Sequence, residues 1–107
     1  MLEKEIERRL GEMLVRRGCI YDKFESPGNP GVPDRIVTLP GGRIIFVELK
    51  TQFGRLSKLQ VWQRDRRRAI GADVRVIKGW DQAQAFVKEV ESICGTSPTH
   101  TSSTAKT

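Results

Sequence analysis

The chain has 107 residues, which gives room for one domain with a real hydrophobic core and no room for a second. Hydrophobic residues make up 37% and charged residues 30%, a globular balance with no apolar run long enough to span a bilayer, so no membrane role is expected. A formal net charge of +6 and a pI near 9.8 suit a polyanionic partner.

The first apolar residues, Leu2, Ile6, Leu10, Met13 and Leu14, fall on one side of a helix that runs to Arg17 and stops at Gly18. The acidic opening Met1-Leu2-Glu3-Lys4-Glu5-Ile6-Glu7 lacks the apolar centre of a secretion signal, and an intracellular, cytoplasmic setting is expected. Cys19 to Phe24 reads as a short strand, and Ser26 to Pro33 is too rich in Pro and Gly for regular structure. Arg35–Leu39 and Arg43–Lys50 are β-rich runs around the turn Pro40-Gly41-Gly42, and the second is apolar enough to be a central strand that leaves the core at Glu48. Ser57 with Gln60 forms a capping box for a second helix, whose apolar face is expected to be Leu59, Trp62, Ala69 and Ile70 before Gly71 ends it. Asp73–Ile77 reads as a strand and Asp81–Cys94 as a last helix with Phe86, Val87, Val90 and Ile93 inward. The spacing predicts an α/β fold in the order α-β-β-β-α-β-α over residues 1–94. Residues 95–107 hold almost no apolar side chains and are expected to form a flexible Ser/Thr-rich tail.

Some chemistry is removed at once. Cys19 and Cys94 are too few for a disulfide framework and lack metal-ligand spacing, which leaves reduced, semi-buried thiols. His100, the single histidine, stands in the tail, so imidazole bases and most zinc sites fall away.

What remains is acidic. On a strand, Glu48 and Lys50 share one face while Leu49 points to the other, which sets a carboxylate beside an ammonium. Asp34, at the mouth of the neighbouring strand, meets Glu48 across the ladder if the register brings both to the same edge. Two converging carboxylates repel unless a cation lies between them, and a hard divalent ion such as Mg2+ or Mn2+ suits oxygen ligands. Such an ion acidifies water and offsets charge on a phosphodiester, and Lys50 adds a second cation. Taken singly, a Glu-x-Lys triplet is also a common cross-face salt bridge and a Pro-Asp pair a common turn; their order and separation around one hairpin favour a site.

Val32-Pro33-Asp34 followed by Val47-Glu48-Leu49-Lys50 resembles the Pro-Asp…Asp/Glu-x-Lys core of a nuclease superfamily. The longer string Lys23 to Gly28, Gly31 to Arg35, Glu48 to Thr51, Gly54 to Ser57 and Gln60 is similar to the virus-type replication-repair nuclease (VRR-NUC) domain, from the first helix to Ile77. The resemblance implies a restriction-endonuclease-like core, a mixed sheet flanked by helices, in a stand-alone phage or bacterial protein. It also implies metal ligands at Asp34 and Glu48, a catalytic lysine at Lys50 and a site glutamine at Gln60. For the acidic residue on the first helix, Glu3, Glu5 and Glu7 compete; Glu7 is favoured, with Glu3 on the same face as runner-up. Gln60 also has a plain reading as the partner of Ser57 in the capping box.

Lys23 and Arg35 beside the loop, and Arg55, Lys58, Arg64, Arg66, Arg67 and Arg68 around the second helix, form a candidate phosphate track. Trp62 is assigned to the core, and Trp80 is left open. The expectation is a Mg2+- or Mn2+-dependent endonuclease for branched DNA such as a Holliday junction, acting as a homodimer without an organic cofactor. The alternatives are a duplex nicking or restriction-like nuclease on the same core, and a non-catalytic nucleic-acid-binding module in which Asp34, Glu48 and Lys50 form only an ion-pair cluster.

Overall fold

In the computed structural model, which describes residues 1–95, the elements follow the expected order: α1 (Glu3–Arg16), β1 (Ile20–Lys23), β2 (Arg35–Thr38), β3 (Ile44–Lys50), α2 (Lys58–Ala69), β4 (Asp73–Lys78) and α3 (Gly79–Cys94). Residues 96–107, nearly all of the expected tail, lie outside the described residues.

The strands form one mixed sheet in the order β1-β2-β3-β4, antiparallel up to β3 and parallel between β3 and β4. Gly41 and Gly42, both at φ +96°, make the β2–β3 turn in a backbone region that side chains resist. The alternation along β3 sorts the fold into layers. Ile45, Val47 and Leu49 face α1 and α3 and join a core with Ile6, Leu10, Leu14, Val37, Phe86, Val87 and Val90. Each such side chain contributes on the order of 1.5–3 kcal/mol. The opposite face of β3 carries Glu48, which Gln60 of α2 reaches.

Three expectations are corrected by this arrangement. In α2 the side chains assigned inward face out: Trp62 is 53% exposed, Ile70 87% and Leu59 40%, and Ala69 is exposed as well. The residue that α2 buries is Gln63, which donates to Pro30 O at 3.2 Å and accepts from Arg67 Nη1. The helix is pinned by polar bonds to a loop, so its apolar stripe has no core to enter. The last helix also starts earlier than Asp81: Gln82 Oε1 accepts from the Lys78 backbone N–H at 2.7 Å, and Trp80 packs against the core from the first turn. Ile93 is 38% exposed, while Phe86, Val87 and Val90 are inward as expected.

Among the described residues no helix is long and apolar enough to cross a membrane. Both cysteines are free, and burial pushes the Cys19 thiol up to about 11, which keeps it protonated.

Candidate active site

The site is built at one end of the sheet. Arg35 pairs with Val47 in the antiparallel register, and one further step brings Asp34 opposite Glu48. Asp34 is fixed through its backbone: its carbonyl accepts from Phe24 N and from Arg35 Nη1, both at 2.8 Å. Glu48 is 7% exposed; it accepts from Gln60 Nε2 at 3.2 Å, and Lys50 Nζ stands 3.9 Å from Glu48 Oε2. The capping box explains how Gln60 does this. Its Oε1 accepts from Ser57 N at 2.9 Å while Ser57 Oγ accepts from Gln60 N at 3.1 Å, which leaves the Gln60 amide nitrogen aimed at Glu48. The plain and the functional readings of Gln60 are therefore two ends of one amide. The loop from Lys50 to the helix passes close, since a Cβ on Gly54 would lie 3.2 Å from Lys50 Cβ.

Electrostatics show what the pocket lacks. Burial, then the neighbouring Asp34 charge, pushes Glu48 up to about 7, against the smaller opposing effect of Lys50. Asp34 is raised as well, chiefly by burial, and its Oδ1 is buried without a hydrogen-bond partner among the described residues. The other oxygen, Oδ2, lies 3.5 Å from Arg35 Nη1, and the side chain as a whole is 41% exposed. A buried, unpartnered carboxylate oxygen facing a second buried carboxylate fits a cation with hard oxygen ligands. Among the described residues no three His, Cys, Asp or Glu side chains converge into a cage. Two carboxylates with the rest of the shell left to water and phosphate is the arrangement that Mg2+ favours.

The other sequence candidates separate. Glu7 bonds the guanidinium of Arg35, which also stands 3.5 Å from Asp34 Oδ2. The charge of Glu3, one turn earlier on the same face, also acts on Asp34, Glu48 and Arg35. Arg35, taken from sequence as a phosphate contact, is 6% exposed and spent on Glu7 and the Asp34 carbonyl. It is a positioning group for Asp34. Lys23 stands at the rim, where its charge lowers the Asp34 pKa. In the basic run, Arg67 is bonded to Gln63, Arg68 to Val74 O and Arg64 to Asp65, and Arg66 stacks 4.5 Å from the Trp62 ring centroid. Arg55 and Lys58 enter no ion pair among the described residues and remain open to a phosphate. Sequence reading missed Gln63 as the tie between α2 and the loop; a buried amide among arginines leaves no periodic signal.

No protein-family model matches the chain. A curated relative, "Putative nuclease p44" of Acyrthosiphon pisum secondary endosymbiont phage 1, is 42% identical over 79 residues, covering 74% of this chain and 85% of the relative. A solved structure described as a VRR_NUC domain superposes with a TM-score of 0.76 at 29% identity, covering 80% of this chain and 94% of that one. The chain belongs to the VRR-NUC family. Its mixed four-stranded sheet with flanking helices is the family's nuclease fold, and in this VRR-NUC chain Asp34, Glu48, Lys50 and Gln60 lie together at one sheet end.

Proposed function

We propose that this VRR-NUC chain is an endonuclease that hydrolyses DNA phosphodiester bonds with a bound Mg2+ or Mn2+ ion. The observation that carries the reading is the unpartnered, buried Oδ1 of Asp34 opposite Glu48, beside the Lys50 ammonium. Asp34 and Glu48 would hold the ion, which when bound supplies Lewis acidity and a more acidic water. Lys50 orients the attacking water and offsets charge on the phosphoryl oxygens. Gln60 holds Glu48 in place, and Arg35, balanced by Glu7, does the same for Asp34. Glu3 brings a further negative charge toward the ion from α1. Arg55 and Lys58, at the start of α2, are placed to take flanking phosphates without reading bases.

We further propose that the preferred substrate is branched, of the Holliday-junction kind, and that the enzyme works as a homodimer in the cytoplasm of a bacterial or phage-infected cell. One domain of this size holds one site, and paired cuts on a symmetric junction need two sites related by a two-fold axis. The test is a cleavage panel of four-way, flap, splayed and linear DNA with Mg2+, Mn2+ or chelator, on the wild type and on Glu48→Gln and Lys50→Ala. The expected outcome is metal-dependent cutting, strongest on the four-way junction and lost in both variants. Failure of the wild type to cut any form with either ion would overturn the proposal.

A further inference from the structure

The segment that leads from the sheet end to α2 holds a tight turn, Thr51 to Gly54, closed by the Gly54 N–H donating to Thr51 O at 3.0 Å. Gln52 and Phe53 occupy its corners. Both sides of the turn are anchored. A Cβ on Gly54 would lie 3.2 Å from Lys50 Cβ, and one on Gly79 would lie 3.1 Å from Gln52 Cβ. Between these anchors Phe53 is 87% exposed, the most exposed aromatic ring among the described residues. Single apolar side chains at a surface are common and need no explanation by themselves. This one stands on a fixed turn that touches Lys50 and continues into the helix whose Gln60 bonds Glu48.

The surroundings are basic. Lys78 is the register partner of Lys50 on the parallel neighbour β4, and such partners share a face of the sheet. Like charges set opposite each other are unfavourable, and among the described residues Lys78, Arg55 and Lys58 enter no ion pair. Three uncompensated cations around one ring suit a polyanion and repel the same turn of a second copy.

An aromatic ring takes a base by its π-face, whatever the sequence. In a continuous duplex the neighbouring pairs cover both faces of every base, whereas a branch point leaves one face free. We infer that Phe53 stacks on the base left uncovered at a branch point beside the cut, while Arg55 and Lys58 take phosphates of the same strand. Residues 53 and 55 lie at most roughly 7 Å apart along the chain, so ring and guanidinium can reach parts of one nucleotide. The inference rests on the nuclease reading and adds to it the substrate feature that is recognised, an uncovered base face.

The test measures binding by anisotropy on the full chain in chelator. A labelled splayed-arm duplex is titrated directly, and a relaxed, covalently closed plasmid, which has neither ends nor branches, is titrated as its competitor. Phe53→Ala and Phe53→Leu, the second of which keeps apolar bulk without a π-face, are expected to weaken splayed-arm binding by about five- to a hundredfold. Plasmid binding should stay within about twofold, and Phe53→Trp should bind as the wild type does. Unfolding midpoints should be unchanged, since the ring buries almost nothing. Equal weakening on both DNAs, wild-type affinity in Phe53→Leu, or no preference of the wild type for the splayed arm would overturn the inference. So would dissociation of a dimer on sedimentation of Phe53→Ala, which would make the ring a contact between copies. The assay needs no metal and no cutting, so a wild type that prefers the splayed arm yet cleaves nothing would defeat the nuclease reading and leave the role of Phe53 intact.

Discussion

Glu48→Gln offers the sharpest physical test of the site, because it turns a buried charge into a measurable slope. In the unfolded chain the Glu48 carboxyl ionises near 4.5, and in the folded protein at about 7. Each tenfold change in proton affinity is worth about 1.4 kcal/mol, so the ionised folded form carries a penalty on the order of 3 kcal/mol at a position only 7% exposed. Below pH 4.5 the carboxyl is protonated in both states and nothing is lost. Between pH 4.5 and 7 the unfolded chain releases its proton while the folded protein keeps it, so stability falls as pH rises, and above 7 the loss is complete. Urea denaturation followed by the fluorescence of Trp62 and Trp80, in chelator, should show this decline in the wild type and a much flatter profile in Glu48→Gln. Adding Mg2+ above pH 7 should restore stability to the wild type by mass action and leave the variant unchanged. Parallel pH profiles for the two proteins, or equal stabilisation of both by Mg2+, would refute the buried-carboxylate argument.

Other expected outcomes come from neighbouring contacts. Arg35→Met leaves Glu7 and the Asp34 carbonyl without their buried partner and should cost about 3 kcal/mol in denaturant unfolding; Arg35→Lys, which keeps the charge but loses the planar fork, should instead raise the Mg2+ concentration needed for half-maximal cleavage. Ser57→Ala should cost about 1 kcal/mol through the lost cap while cutting persists, whereas Gln60→Ala keeps the backbone bond to Ser57 Oγ, loses only the reciprocal bond from Ser57 N, and should lose most of the cleavage rate, a contrast read by unfolding and nuclease assays side by side. Trp62→Ala should change stability by no more than about 1 kcal/mol, the scale of an exposed cation–π contact; a loss of 3 kcal/mol or more in a urea melt would show that the ring is buried in solution.

Much of this protein is set by local pattern. The periodicity of Ile6, Leu10 and Leu14, the apolar run ending at Glu48 and the glycines at the β2–β3 turn each act over a few residues, so the order of elements and the inward face of α1 can be read directly from the chain. Alternation along β3 likewise determines that Glu48 and Lys50 share a face. The pairing of Asp34 with Glu48 depends on a register spanning two strands, in which a one-residue slip of either strand would turn Val37, or Ile45 and Val47, out of the core.

Tertiary structure alone decided how the charges are shared out. Glu3 and Glu7 lie on one helical face and look alike in sequence, but where α1 crosses the sheet sends Glu7 to Arg35 and leaves the Glu3 charge to act on the carboxylates. The same holds for α2, whose apolar residues promised a buried face. A buried glutamine bonded to a loop carbonyl holds that helix instead, and its Trp62 stays outside with Arg66. Periodicity records which residues stand together on a surface, whereas the partner that surface meets depends on how distant segments pack, and no short window of sequence contains that information.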